Sequence, residues 1–178
     1  MCVEIEAKLK VDSPAEVERR LSELGAEFVA EQLQIDSLLD DANDTLTSSD
    51  RCLRIRRQTT AGSERFFLGY KGGREDSNFK KRQEIEMEVT DVDSLLKLFT
   101  ALGYEEKVVV EKRRRLWRLA GCEVAVDELP LLGDFVEIEG PNEEAIADVQ
   151  TRLGLETLPH IAKSYANLIE EELGRRGA

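Results

Sequence analysis

Three tripeptides carry the densest chemistry in this sequence: Glu4-Ile5-Glu6, Glu84-Ile85-Glu86 and Glu137-Ile138-Glu139. A shuffled chain with the same 25 Glu and 8 Ile in 178 residues would hold roughly 0.16 copies. Residues i and i+2 of a β-strand share a face, so each copy sets two carboxylates on one side and an isoleucine on the other. Such pairs supply the hard oxygen ligands that Mg²⁺ or Mn²⁺ prefers. Basic residues alternate in the same way. Arg54 and Arg56 flank Ile55, Lys112 and Arg114 share a face, and Arg82 stands in phase with Glu84, Glu86 and Glu88. Lys71 and Asp127 close two further strand-like runs. Lysine and arginine hold phosphate oxygens, arginine in bidentate fashion. Carboxylates for a cation beside basic groups for an anion suit a polyphosphate bound with a divalent metal. Such a site stabilises the charge of an in-line displacement at phosphorus. For any single pair the alternative is a solvated sheet face with weak cross-strand ion pairs. That alternative weakens when every strand repeats the pattern.

These side chains need strands to aim them. Residues 3–11 alternate between Val3, Ile5, Ala7, Leu9, Val11 and Glu4, Glu6, Lys8, Lys10, the pattern of a half-buried strand. Ser13-Pro14-Ala15-Glu16 then gives an N-cap, a proline at the first helical position and a capping-box glutamate. That helix carries Val17, Leu21 and Leu24 and stops at Gly25. A long strand over 26–40 leads into a polar loop, Asp41 to Asp50, and strands follow at 51–59, 64–72 and 80–90. The 72–79 segment reads as a flexible loop. A helix over 91–103 points Leu95, Leu98, Phe99 and Leu102 at the core. Strands at 105–119, 122–128 and 133–140 come next, the first two joined at Gly121. Asn142 caps a helix to 153, and a last helix covers 161–173. No linker divides the chain, so residues 1–178 read as one domain. The class is α+β, a large antiparallel sheet closing as a barrel. Ile5, Leu53, Ile55, Ile85, Val124, Val126, Val136 and Ile138 would then lie beneath the helices, and the charged faces would line the lumen.

Composition narrows the function. A net charge of −12 excludes a general nucleic-acid binder and argues against docking on anionic membrane. No apolar run is long enough for a membrane helix, and no signal-peptide pattern opens the sequence. Cys2, Cys52 and Cys122 are odd in number and scattered, which fits a reducing cytoplasm without disulfides or a zinc site. With His160 as the one histidine, Ser-His-Asp chemistry has no support.

Taken in order, the motifs are Val3-Glu4-Ile5-Glu6-Ala7-Lys8, Leu53-Arg54-Ile55-Arg56, Lys71, Arg82-x-Glu84-x-Glu86, Glu111-Lys112-x-Arg114, Asp127, Gly133-Asp134-Phe135-Val136-Glu137-Ile138-Glu139 and Lys163-Ser164-Tyr165. The set resembles the CYTH superfamily, or triphosphate tunnel metalloenzymes. That group includes class IV adenylyl cyclases, thiamine-triphosphatases, inorganic triphosphatases and fungal-type RNA triphosphatases. The resemblance implies an eight-stranded antiparallel β-barrel, a tunnel with helices packed outside, holding a triphosphate and two Mg²⁺ or Mn²⁺ ions. By similarity, Glu4, Glu6, Glu137 and Glu139 ligate metal or orient its waters, and Glu84 and Glu86 assist. Lys8, Arg54, Arg56, Lys71, Arg82, Lys112 and Arg114 hold phosphates. Lys8, Asp127 and Lys163 form the catalytic set, with Asp127 positioning a water or a basic group and Lys163 reaching in from the last helix.

The whole-chain pattern looks closest to the class IV cyclase-like branch, on Asp36-Ser37-Leu38-Leu39-Asp40, Glu-Lys-x-Arg and Leu132-Gly133-Asp134-Phe135. The implied activity is conversion of ATP to cyclic AMP and pyrophosphate. The alternatives are hydrolysis of inorganic, thiamine or nucleoside triphosphate, and a non-catalytic polyphosphate or nucleotide-binding module. The expected partner is a small-molecule triphosphate, without nucleic acid or membrane, bound by a monomer or homodimer.

Overall fold

A computed structural model of the protein describes residues 2–74 and 79–177. Residues 75–78, within the expected flexible loop, lie outside the described residues. The elements in chain order are β1 (Cys2–Val11), α1 (Pro14–Glu23), β2 (Glu27–Asp41), α2 (Thr45–Ser48), β3 (Cys52–Thr60), β4 (Ser63–Lys71), β5 (Lys80–Val89), α3 (Val92–Ala101), β6 (Tyr104–Leu119), β7 (Cys122–Leu129), β8 (Gly133–Glu139), α4 (Glu143–Leu153) and α5 (Tyr165–Gly177). The eight strands close into a barrel in the order β1-β5-β4-β3-β2-β6-β7-β8. Every neighbouring pair is antiparallel, and β8 returns to β1 with Lys8 opposite Glu137 and Glu6 opposite Glu139. Closure removes the sheet edges and gives each strand one lumenal and one outer face.

The outer face of β1, β7 and β8 is the apolar core. Ala7, Leu9, Val124, Val126, Val136 and Ile138 are buried there with Val17 and Leu21 of α1 and Ile146, Val149 and Leu153 of α4. Local chemistry starts both helices. The Ser13 hydroxyl accepts the Glu16 N–H at 3.2 Å, and the Asn142 side-chain oxygen accepts the Ala145 N–H at 2.8 Å. Gly154 ends α4 with φ of 67°, where any Cβ would lie 2.0 Å from Arg20 Nη1. That guanidinium donates to the Leu153 carbonyl at 2.8 Å, so only glycine fits.

Helix coverage is lopsided, which corrects part of the expected core. Ile85 on β5 is 44% exposed and Leu53 on β3 is only half-buried. The helix over 91–103 forms as α3 but buries none of its residues. Leu98 and Leu102 face solvent, while Leu95 and Phe99 are half-buried. Its amphipathic spacing is right; the reason it stays outside is that α1 and α4 occupy the β1-β7-β8 face, while α3 packs mainly on β6. The expected polar loop 41–50 contains α2. Its turn is organised by the Asp40 carboxylate, which accepts the N–H groups of Asp41, Leu46 and Thr47 at 2.9, 2.9 and 2.7 Å. Among the described residues no helix is long and apolar enough to cross a membrane.

Candidate functional site

The barrel encloses a cavity of about 380 Å³. An eight-stranded barrel has room for filling side chains or one small ligand, and here the lumenal side chains are charged. Glu4, Glu6, Lys8, Arg54, Arg56, Lys71, Arg82, Glu84, Glu86, Lys112, Arg114, Glu137 and Glu139 all line it. Of the expected site residues, two stand elsewhere. Asp127 is fully buried in the wall behind Arg114, and Lys163 is outside.

Lys163 is a correction. Its ammonium bonds Glu171 at 2.5 Å on the exterior, with more than half of the side chain exposed. The last helix begins at Tyr165, not 161, so Lys163 precedes it. Its backbone carbonyl accepts from Lys8 Nζ at 3.2 Å, and the Ile161 N–H donates to the Lys8 carbonyl at 2.8 Å. The stretch therefore ties the C-terminal helix to β1 through its backbone.

The residue that reaches into the tunnel from this segment is Tyr165. Its hydroxyl donates to Asp127 Oδ2 at 3.0 Å. Its ring lies 3.8 Å from Lys8 Nζ and 5.0 Å from Lys112 Nζ. Asp127 also takes a bidentate pair from Arg114 at 2.7 and 2.6 Å, and Lys112 stands 3.6 Å away. Asp127 thus holds basic side chains. Arg114 bridges to Glu137, which lies 3.3 Å from Lys8.

On β2, beside β6, the organiser is Asp36, whose role no sequence pattern disclosed. Arg56 grips it bidentately at 2.6 and 2.7 Å, and Arg54 stands at 3.6 Å. Both arginines hold the Asp36 carboxyl well below the usual carboxylate range against the opposing effect of burial. Arg54 also reaches Glu86 at 2.9 Å and Glu84 at 3.6 Å. It crosses over Gly69, where an added Cβ would crowd its Nε at 3.3 Å. Lys71 donates to both Glu4 oxygens at 2.5 and 2.7 Å and lies 3.5 Å from Glu84. Burial disfavours the Lys71 ammonium, yet Glu4 and Glu6 keep its pKa above the ordinary lysine value.

Carboxylates outnumber local cations near one wall. Glu4 is raised, first by burial and then by Glu6 and Glu84, even though Lys71 opposes the rise. Glu139 is pushed up to about 7, first by burial and then by Glu4, with Lys71 opposing the rise. Crowded, under-compensated oxygens fit a divalent cation. Among the described residues no three of them already converge as a closed cage.

Lys112 has the opposite problem. It is 3% exposed, and burial, then Arg114, push its pKa down to about 7, far below a free lysine. At pH 8 most of it is neutral, and a polyanion nearby would favour the protonated form. Inorganic triphosphate binding at pH 8 therefore takes up about one proton, and the uptake fades below pH 7, where the lysine is already charged. Calorimetry in buffers of differing ionisation enthalpy reads this directly. Lys112→Met abolishes the uptake if the lysine is its source, and unchanged uptake refutes the assignment.

A CYTH domain model matches residues 3–165. A protein of Methanocaldococcus jannaschii, provisionally named an adenylate cyclase, is 29% identical over 175 residues, 98% of this chain and 95% of that protein. Adenylate cyclase CyaB of Aeromonas hydrophila is 28% identical, over 96% of this chain and 90% of its own. The PH1819 protein of Pyrococcus horikoshii superposes with a TM-score of 0.82 at 29% identity, covering 94% of this chain and 99% of that one. At 19% identity, a Hippeastrum protein provisionally named an adenylyl cyclase and described as having a dominant triphosphatase activity shares the fold, with a TM-score of 0.72 over 94% of this chain and 95% of its own. The closed antiparallel barrel, its charged lumen and the match across residues 3–165 place this chain in the CYTH domain family.

Proposed function

We propose that this protein is a divalent-metal-dependent enzyme acting on a triphosphate inside the barrel, and that its reaction is cyclisation of ATP to cyclic AMP and pyrophosphate. The observation that carries the reading is one 380 Å³ lumen lined by both carboxylates and basic side chains, in which Glu4 is crowded by Glu6 and Glu84. Glu4, Glu6 and Glu139 supply oxygens for the cation, with Glu84, Glu86 and Glu137 adjusting the basic groups around it. A bound Mg²⁺ or Mn²⁺ would supply charge neutralisation at the phosphoryl oxygens. Lys71, Arg54, Arg56 and Arg82 approach the polyphosphate from one side, and Lys8, Lys112 and Arg114 from the other. Asp36 and Asp127 keep Arg56 and Arg114 in fixed orientations, so little reorganisation is needed as charge develops. The Tyr165 ring packs against the Lys8 and Lys112 ammonium groups.

The cyclase assignment draws on the names of the two curated relatives. Hydrolysis is the second reading, because the same lining serves water attack at the terminal phosphate and the Hippeastrum fold neighbour is described as mainly a triphosphatase. Incubation with ATP, inorganic triphosphate or thiamine triphosphate, with Mg²⁺ and then Mn²⁺, separates the two. Cyclic AMP with pyrophosphate supports cyclisation, orthophosphate supports hydrolysis, and binding without turnover rejects both in favour of a binding module.

A further inference from the structure

The tunnel has a charged neighbour. A second cavity of about 470 Å³ shares Leu38, Cys52, Arg82, Ser164 and Ala166 with the tunnel lining, so the two adjoin. The carboxylates of Asp40, Asp44, Asp50 and Glu170 border it, as do the cations of Arg51, Arg82 and Lys107. By count the carboxylates lead, but their partners reverse the local balance. Asp40 is committed to three backbone N–H groups. Asp50 accepts from the Arg74 guanidinium at 2.6 Å and from its backbone N–H at 3.1 Å. Asp44 stands 3.3 Å from Lys107, which Glu105 also holds at 2.7 Å. Glu170 is exposed, where water screens its charge.

The two arginines are under-compensated. Arg51 is half-buried, and its guanidinium donates to two neutral acceptors, Ser49 Oγ at 2.7 Å and the Thr45 carbonyl at 3.4 Å. Among the described residues it has no carboxylate partner. Arg82 is 5% exposed and its buried Nε has no acceptor. Asp50 comes no nearer to its guanidinium than 3.9 Å. On the same lining Ser164 donates to the Asn167 side-chain oxygen at 2.7 Å, which leaves the Asn167 NH₂ group as a donor. Buried donors without acceptors are costly, and a small oxyanion removes that cost. Guanidinium groups with an amide donor suit the oxygens of a phosphate.

Resting on the triphosphate reading above, we infer that the side cavity is a second anion site, which takes the inorganic phosphate released from the tunnel between Arg82, Arg51 and the Asn167 amide. Arg82 lines both chambers and carries several donors, so it can hold an anion on either side. The exposed carboxylates of Asp44 and Glu170 oppose anions arriving from solvent and keep the hold weak, which suits a product on its way out.

Proton–nitrogen correlation NMR of the full chain tests this, with metal chelated and orthophosphate and pyrophosphate titrated separately. The reporter is the Asn167 side-chain amide, assigned by its absence in Asn167→Ala. Its signal moves saturably with a midpoint on the order of 1 mM, the affinity that about two charge-assisted contacts supply. The tighter of the two anions is the product that the site holds. Arg51→Ala and Arg51→Gln, the latter keeping amide donors toward Ser49 and Thr45, each raise the midpoint about tenfold or more. Calorimetric affinity for inorganic triphosphate stays within about twofold of the wild type, which also shows that the fold survives. A stationary Asn167 signal, or an unchanged midpoint in either variant that keeps its triphosphate affinity, overturns the side-cavity inference and leaves the triphosphate reading standing. Failure of the wild-type protein to bind inorganic triphosphate overturns that reading and with it the product role.

Discussion

Replacing Glu6 by alanine lowers metal-dependent turnover by more than about a hundredfold, the scale expected when a divalent ion loses its hold at a phosphoryl-transfer site. Glu6 is 5% exposed, lines the tunnel and pairs in register with Glu139 across β1 and β8. It is one of the groups that raises the neighbouring Glu4, so its removal relieves crowding in the metal-free protein. The fold should therefore persist, with a melting temperature at or slightly above that of the wild type. Glu137→Ala produces a loss of similar size by another route, because Glu137 orients Lys8 and Arg114. The two are told apart by titrating Mg²⁺. Glu6→Ala shifts the metal requirement upward, whereas Glu137→Ala chiefly weakens triphosphate binding. Near-normal turnover of Glu6→Ala would sink the metal-site assignment.

The second large effect lies at Arg56. Its guanidinium is buried in the lumen and fixed by Asp36, whereas Arg57, one residue on, is half-exposed on the outer face with Glu64 at 3.8 Å. Arg56→Ala weakens triphosphate binding by on the order of 1.5–3 kcal/mol through loss of charge-assisted contacts. It also leaves the buried Asp36 with Arg54 as its nearest charge partner at 3.6 Å, so some stability is lost as well. Lysine at position 56 keeps the charge without the fork and restores affinity only in part. Arg57→Ala changes binding little. Measured side by side, equal effects at the two positions would show that the lumenal face has been assigned to the wrong side chains.

Strand periodicity was legible because it is local. Alternation alone separates Arg54 and Arg56 from Arg57, and it turns Arg113 and Arg115 outward, where they meet Glu31 and Glu18. The hairpin at Ala120-Gly121, with φ of 51° and 80°, and the Ser13 and Asn142 caps are equally short-range. Repeated charged faces implied an enclosed polar surface, because a two-residue period cannot bury them beneath apolar helices.

Partner choice across the lumen was not legible. Lys71 meets Glu4, and Tyr165 meets Asp127, at sequence separations of 67 and 38, and no spacing encodes contacts between elements that are not hydrogen-bonded neighbours. The same applies to helix coverage. The α3 sequence has a clear apolar stripe, but whether that stripe is buried depends on which outer face α1 and α4 have already filled. Lys163 and Tyr165 are two residues apart, and the start of α5 sends one to the exterior and the other beneath Lys8. The sequence by itself determined which residues share a strand face, since backbone geometry sets that within a few residues. Only the tertiary structure decided which charges neutralise one another, because barrel closure alone brings distant strands within bonding distance.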